Sequence, residues 1–221
     1  MSTATAKAYR GMGMEGRVAR WYADNTRKSM EEYRTLARRA AAELPPGSRV
    51  LEVAPGPGYF SIELAKLGDY RVTGLDISRT FVEIACRNAK EAGVEIAFQQ
   101  GDAAAMPFAD ETFDFILCRA AFKNFSQPLK ALQEMRRVLK PGGRGMLIDL
   151  RKDAPSSDIR RIVDGMGMSF LNRLFTRLTF RFVLLKRAYT ESQFRDFFAH
   201  ANFRSADFQT SATGFEIRFQ R

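Results

Sequence analysis

Histidine is almost missing from this chain of 221 residues: His200 stands alone, and the only cysteines are Cys86 and Cys118. That scarcity leaves no Cys/His cluster of the kind that holds zinc, and no metal site is expected. Cys86 falls in a predicted helix and Cys118 in a predicted buried strand, so reduced thiols are expected rather than a disulfide framework. Long apolar runs are missing too. The longest uninterrupted aliphatic or aromatic run is residues 182–185, too short for a transmembrane helix. No apolar signal core follows Met1, and a cytoplasmic protein is the expectation. Acidic residues are in the minority, 25 Asp+Glu against 35 Lys+Arg, for a net charge of +10. The excess is uneven. Residues 1–48 carry nine basic and five acidic side chains, residues 49–150 thirteen of each, and residues 151–221 thirteen and seven. Such an excess serves solubility, or draws in an anionic membrane surface, nucleic acid or an acidic substrate.

What is present centres on Arg49-Val50-Leu51-Glu52-Val53-Ala54-Pro55-Gly56-Pro57-Gly58-Tyr59-Phe60. Apolar residues of high β-propensity run into a carboxylate, then a turn of small residues and prolines, then a helical pattern through Leu67. Gly56 and Gly58 let backbone approach a ligand without a Cβ in the way, and the unpaired N–H groups of the helix favour electron-rich atoms. Taken alone, Gly56-x-Gly58-x-x-Ser61 also nearly fits a dinucleotide fingerprint. The following segments separate the two readings. Residues 70–78 form a second strand ending in Asp76, suited to a ribose diol. Residues 94–100 form a third, followed by Gly101-Asp102-Ala103, which offers a carboxylate and backbone amides to an adenine edge. Residues 113–119 form a fourth, and Leu139-Lys140-Pro141-Gly142-Gly143 leads into a fifth at residues 144–150. Repeated strand–helix alternation implies a mostly parallel sheet covered on both faces, with right-handed crossovers.

Together these segments resemble a class I S-adenosylmethionine-dependent methyltransferase, most like the small-molecule group around the ubiquinone and menaquinone biosynthesis C-methyltransferases. The resemblance covers roughly residues 49–150, with one departure: Ala54 stands where the family usually has its first motif glycine. It implies an α/β Rossmann-like sheet of seven strands in the order 3-2-1-4-5-7-6, with strand 7 antiparallel. It divides a single overall domain into an N-terminal helical cap (1–48), a cofactor core (49–150), a helical insertion (151–188) and a closing helix and hairpin (189–221). By position, Glu52 would orient the methionine amino group, and Ala54, Gly56 and Gly58 would lie under the methionine portion. Asp76 would bind the ribose hydroxyls, with Ile77 against adenine. Asp102 would accept from the adenine amine, Ala103 would donate from its backbone, and Arg119 would offer mainly its carbonyl. S-adenosylmethionine is then the cofactor and S-adenosylhomocysteine the product, with no metal.

The implied reaction is in-line methyl transfer to a small aromatic, quinone-like, phenolic or amine acceptor, where alignment and water exclusion dominate. In Cys118-Arg119-Ala120-Ala121-Phe122-Lys123-Asn124-Phe125, Lys123 and Asn124 would contact the acceptor or else be solvated loop residues, and Phe122 and Phe125 would give an apolar wall. Tyr22 is the third catalytic candidate: it and Trp21 would either meet the pocket or anchor the N-terminal segment. The Asn/Asp-Pro-Pro-aromatic motif and the Pro-Cys pair of nucleic-acid methyltransferases are both missing. RNA methylation therefore rests on charge alone. A nicotinamide-dependent oxidoreductase is disfavoured by Glu52 and by Asp102-Ala103, and a non-catalytic methyltransferase-like subunit stands as the other alternative.

Around this core, residues 1–15 lack periodicity and are expected to be mobile without ligand. Residues 16–24 suggest a short helix. Met30, Tyr33, Ala37, Ala40 and Leu44 then mark an amphipathic one, closed by Pro45-Pro46-Gly47. Ser78 is an N-cap, and Pro128 lies in the first turn of the helix before the fifth strand. In the insertion 151–187, Leu171, Leu174, Phe175, Leu178, Phe182 and Leu185 share one helical face, with Arg173, Arg177 and Arg181 on another. That face would cap the substrate, form a homodimer, or rest peripherally on membrane. Thr190-x-x-Gln193 is a capping box, and residues 207–212 and 215–220 are the closing hairpin.

Overall fold

A computed structural model describes residues 9–10, 13–165, 170–179 and 184–221. Seven strands form one sheet in the order β3-β2-β1-β4-β5-β7-β6: β1 Arg49–Val53, β2 Arg71–Asp76, β3 Ala97–Gln100, β4 Phe113–Arg119, β5 Leu139–Leu150, β6 Ser205–Thr210 and β7 Gly214–Gln220. Strands β1 to β5 pair in parallel, while β7 runs antiparallel to both β5 and β6. The order and the antiparallel seventh strand agree with the expectation. The parallel part is central because both faces of its strands are apolar. Val50, Leu117 and Met146 enter one core layer, and Leu51, Ile116 and Leu147 enter the other. Period-two alternation thus covers two faces rather than one. Each fully buried Leu or Phe contributes about 1.5–3 kcal/mol.

The helices on one face are α2 (Met30–Ala41) and α3 (Tyr59–Ala65), where Tyr33, Leu36, Ala37, Phe60 and Leu64 fill the core. On the other face, α5 (Pro128–Val138) and α9 (Glu191–His200) bring Leu132, Met135, Phe194 and Phe198. The helix α1 (Gly16–Thr26) leans on α4 (Arg79–Glu91) through Ala19, Ala23, Phe81 and Ile84. Two cap expectations hold. The Ser78 hydroxyl accepts from Phe81 N–H, and Thr190 with Gln193 forms the reciprocal capping box. Helix α5 begins on Pro128, with no backbone N–H of its own left unpaired.

Several boundaries differ. The third strand is shorter than expected, and the hairpin strands begin earlier. The fifth starts at Leu139, because Leu139 pairs with Phe113 before a bulge, and regular pairing resumes at Arg144 opposite Phe115. Where the structure describes residues 1–15, they make defined contacts. Tyr9 bridges Phe125, Arg10 N–H donates to the Asn124 carbonyl, and the Glu15 carboxylate accepts from the Arg79 and Thr80 amides. Glu15 so supplies acceptors to the open N-terminus of α4. The remaining residues of that segment, 1–8 and 11–12, lie outside the described residues.

In the insertion, α6 (Ser156–Gly165) and α7 (Phe170–Thr179) are joined by an Arg177–Asp164 ion pair, and the short α8 (Leu185–Arg187) follows. The proposed apolar stripe divides. Leu185 packs on Ile159 and Val163, whereas Leu174 and Leu178 are exposed, and the side chains of Leu171 and Phe175 together with Arg181 and Phe182 lie outside the described residues. No described helix is long and apolar enough to cross a membrane. Both cysteines are free, Cys86 exposed and Cys118 buried.

Candidate functional site

The site sits where the parallel strands β1, β2 and β4 end, the usual ligand crevice of such a sheet. Ala54, Gly56 and Gly58 all have positive φ, at 57°, 54° and 79°. Three left-handed residues in five reverse the chain tightly and deliver it into α3. At Gly58 the fit is doubly enforced, since a Cβ there would lie 2.8 Å from Phe98 Cζ and 3.0 Å from Ala85 Cβ. At Gly56 a Cβ would meet only Tyr22 Cε1, at 4.0 Å, which leaves room above the turn for a ligand. Ala54 stands in this turn where the resemblance expects a glycine. The structure shows a conformational cost there, because an L-residue in this region is disfavoured by about 1–2 kcal/mol. Ala54→Gly is therefore expected to stabilise the protein by about 0.5–1 kcal/mol, after the greater unfolded-state entropy of glycine. Urea denaturation checks this, and a loss of stability would show that the methyl packs usefully.

Two carboxylates flank the turn. Glu52, 3% exposed, accepts from the Ser61 amide at 3.1 Å and the Ser61 hydroxyl at 2.5 Å. Both bonds fall on Oε2, and no described residue hydrogen-bonds Oε1. Asp76, 5% exposed, accepts from Gly56 N–H at 3.0 Å on Oδ2 and Ser78 N–H at 2.9 Å on Oδ1. Burial pushes Glu52 up to about 7 against the bonds from Ser61, and it pushes Asp76 up to about 6 against its amide donors. Each folded-state value lies above its unfolded value, so the folded chain binds protons more tightly. The stability this confers is present at low pH and is lost as pH rises through about 6 to 7. Without ligand, the thermal midpoint should therefore rise as pH falls from 8 towards about 5.5. A midpoint that falls over that interval would mean that both acids are ionised by compensating charge.

The remaining candidates are placed as follows. Tyr22 packs edge-on against Phe81, 5.7 Å between centroids, above the turn; Trp21, 67% exposed, faces solvent. Ile77 is half-buried, and its carbonyl accepts from the Gln100 side chain. Asp102 uses Oδ1 to accept from Ala104 N–H at 2.8 Å, which closes a local turn, and Ala103 lies half-buried beside it. Arg119 sits at the end of β4, with its guanidinium directed to α2 rather than free.

Lys123 is neither solvated nor open to an acceptor. It is buried, with Nζ donating to Asp149 Oδ1 at 2.9 Å and to the Ala120 carbonyl at 2.5 Å. Phe122 is likewise core, fully buried against Phe125, Tyr189 and Phe194, so only the half-buried Phe125 remains available as a wall. Asn124, half-buried, holds Arg10 through its backbone carbonyl. His200 is exposed on α9 and turned back onto Asp196. No group of three or more metal-ligating side chains occurs among the described residues.

Sequence reading missed Ser61, Asp149 and Tyr9. An acid at the end of an apolar strand was the available signal for Asp149. Ser61 could have been found as the polar residue in the first turn of α3. Tyr9 carried no periodic signal. Its hydroxyl is pushed up chiefly by burial, and its backbone bridges Phe125.

The donor set suits S-adenosylmethionine. A buried carboxylate with one oxygen unbonded fits an ammonium, Asp76 keeps lone pairs for hydroxyls, and Gly56 leaves room above the turn. Residues 50–143 match a family model described as a methyltransferase domain. The demethylmenaquinone methyltransferase of Deinococcus radiodurans is 39% identical over 117 residues, 52% of this chain and 48% of that protein. An uncharacterized methyltransferase, YcgJ, of Bacillus subtilis is 40% identical over 109 residues, 49% of this chain and 43% of that protein. The matches thus span about half the length of these curated relatives. A solved structure from Methanococcus maripaludis, provisionally assigned as an S-adenosyl-L-methionine-dependent methyltransferase, superposes with a TM-score of 0.76. It covers 100% of this chain and 97% of its own at 20% identity, a likeness of fold alone. With the strand order, the left-handed turn and the two buried acids in hand, the matched residues 50–143 form a methyltransferase domain.

Proposed function

We propose that this chain transfers the methyl group of S-adenosylmethionine to a small organic acceptor, quinone-like, phenolic or amine. The observation that carries the reading is the pair Glu52 and Asp76, two buried acids on either side of the left-handed turn that holds Gly56 and Gly58. When bound, the cofactor supplies a sulfonium methyl, which passes in line to the acceptor's nucleophilic atom while the C–S electron pair stays on sulfur. The work left to the chain is placement and drying. Glu52 would hold the methionine ammonium through the oxygen that Ser61 leaves unbonded. Asp76 would hold the ribose hydroxyls, with its orientation fixed by the Gly56 and Ser78 amides. Tyr22 and Tyr9 would roof the crevice, excluding water and offering aromatic faces to a cation.

The acceptor proton has no described histidine to take it, because His200 is exposed on α9. The acceptor is therefore read as a good nucleophile in its own right. His200→Ala should keep turnover within about twofold, since general-base catalysis contributes roughly 100-fold or more where it operates. A loss of that larger size would place a histidine in the chemistry. The reaction itself is tested by incubating the protein with methyl-labelled S-adenosylmethionine and a panel of demethylated quinols, catechols and amines. The reading expects label in one acceptor with stoichiometric S-adenosylhomocysteine. Tight cofactor binding without transfer to any acceptor would favour the non-catalytic subunit.

A further inference from the structure

We propose that the Arg119 guanidinium binds the α-carboxylate of the cofactor's methionine, and that Glu32 holds its place in the ligand-free chain. The inference rests on the S-adenosylmethionine reading and extends it to a side chain. Position comes first. Val53 pairs with Cys118 across β1 and β4, which sets Arg119 beside Ala54, where the turn begins. From there the side chain reaches over Tyr33, with Cζ 4.6 Å from the ring centroid, and Nη2 donates to Glu32 Oε2 at 2.7 Å.

The two ends of that ion pair are unlike. The Arg119 side chain is 24% exposed and stacked on a buried ring, whereas Glu32 is 64% exposed on α2. Arginine is thus the fixed member and glutamate the replaceable one, and an exposed pair of this kind is held weakly. A guanidinium has five donors in a planar fork that matches a carboxylate with two parallel bonds, and Glu32 engages one nitrogen of it.

Electrostatics agree with that position. The charge of Arg119 acts on the buried Glu52 carboxylate, lowering its proton affinity against burial. A buried anion and a nearby cation at the mouth of the turn form a template for an amino-acid zwitterion, ammonium on Glu52 and carboxylate on Arg119. Lys123 cannot serve in this way, because Asp149 and the Ala120 carbonyl occupy it.

Calorimetry with two ligands tests the assignment: S-adenosylmethionine, and its decarboxylated analogue, which keeps the sulfonium and amine but lacks the carboxylate. Wild type should prefer the former by about 30-fold, as a charge-assisted paired bond implies. In Arg119→Met that preference should collapse to within about threefold, through loss of S-adenosylmethionine affinity alone. Glu32→Gln should strengthen S-adenosylmethionine binding and leave the analogue unchanged, because a competing carboxylate is gone. Thermal midpoints of both variants show whether the fold persists. Equal weakening of both ligands by Arg119→Met, or weaker S-adenosylmethionine binding by folded Glu32→Gln, would make Arg119 a strut between β4 and α2 and overturn the assignment alone. Failure of wild type to bind either ligand would overturn the cofactor reading, and this assignment with it.

Discussion

Asp76→Ala should lower S-adenosylmethionine affinity by at least about 100-fold, since hydrogen bonds to a charged acceptor are worth about 1.5–3 kcal/mol each and the diol would make two. The structure explains why one residue carries so much. Both oxygens already accept a backbone amide, from Gly56 and from Ser78, and this fixes the carboxylate plane before any ligand arrives. No rotamer entropy is then spent on binding, and each oxygen keeps a lone pair. The same bonds make the mutation costly to the turn, because two buried amides lose their acceptor. Calorimetry at a temperature well below the variant's own midpoint separates lost binding from lost folding. Affinity within about tenfold of wild type would show that the diol is held elsewhere.

Lys123→Ala should destabilise the protein by about 3–5 kcal/mol, the range for breaking one side of a buried ion pair. The Asp149 side chain is fully inaccessible and that of Lys123 is 6% exposed, so the orphaned carboxylate could not reach water without rearrangement. Asp149 also accepts from Lys123 N–H at 2.8 Å, which ties the short 3-10 turn Phe122–Asn124 to the end of β5. The double replacement Lys123→Met with Asp149→Leu should recover most of the loss, because no charge is then left buried. Denaturation of both variants beside wild type checks this. A single mutant as stable as wild type would mean that the pair is solvated in solution and that Lys123 is free to meet an acceptor after all.

The mostly parallel sheet was legible because apolar runs of strand length alternated with helical stripes, the strand order came only from the family resemblance, and the two acids stood out as charges closing such runs. Glu52 and Asp76 are where that reading placed them, one at the turn and one opposite it. What stayed hidden has a physical reason in each case. The left-handed φ of Ala54 belongs to backbone geometry, which side-chain periodicity does not encode. The burial of Lys123 depends on Asp149, a residue 26 positions away on another strand. The reach of Arg119 depends on Glu32, 87 positions earlier on a different helix. Tyr9 and Glu15 lie in a segment with no pattern at all, yet a bridge to Phe125 places the first and hydrogen bonds to the start of α4 place the second. Local pattern revealed the frame and the acids. Long-range pairing decided which cations were left for a ligand.

The most direct test of the central claim is calorimetric titration of the intact protein with S-adenosylmethionine, beside NADH and NADPH. One equivalent of S-adenosylmethionine binding in the micromolar range, with neither nicotinamide bound, is the result this site predicts. Binding of NADH or NADPH with none of S-adenosylmethionine would contradict it, and would make the turn after β1 a dinucleotide site.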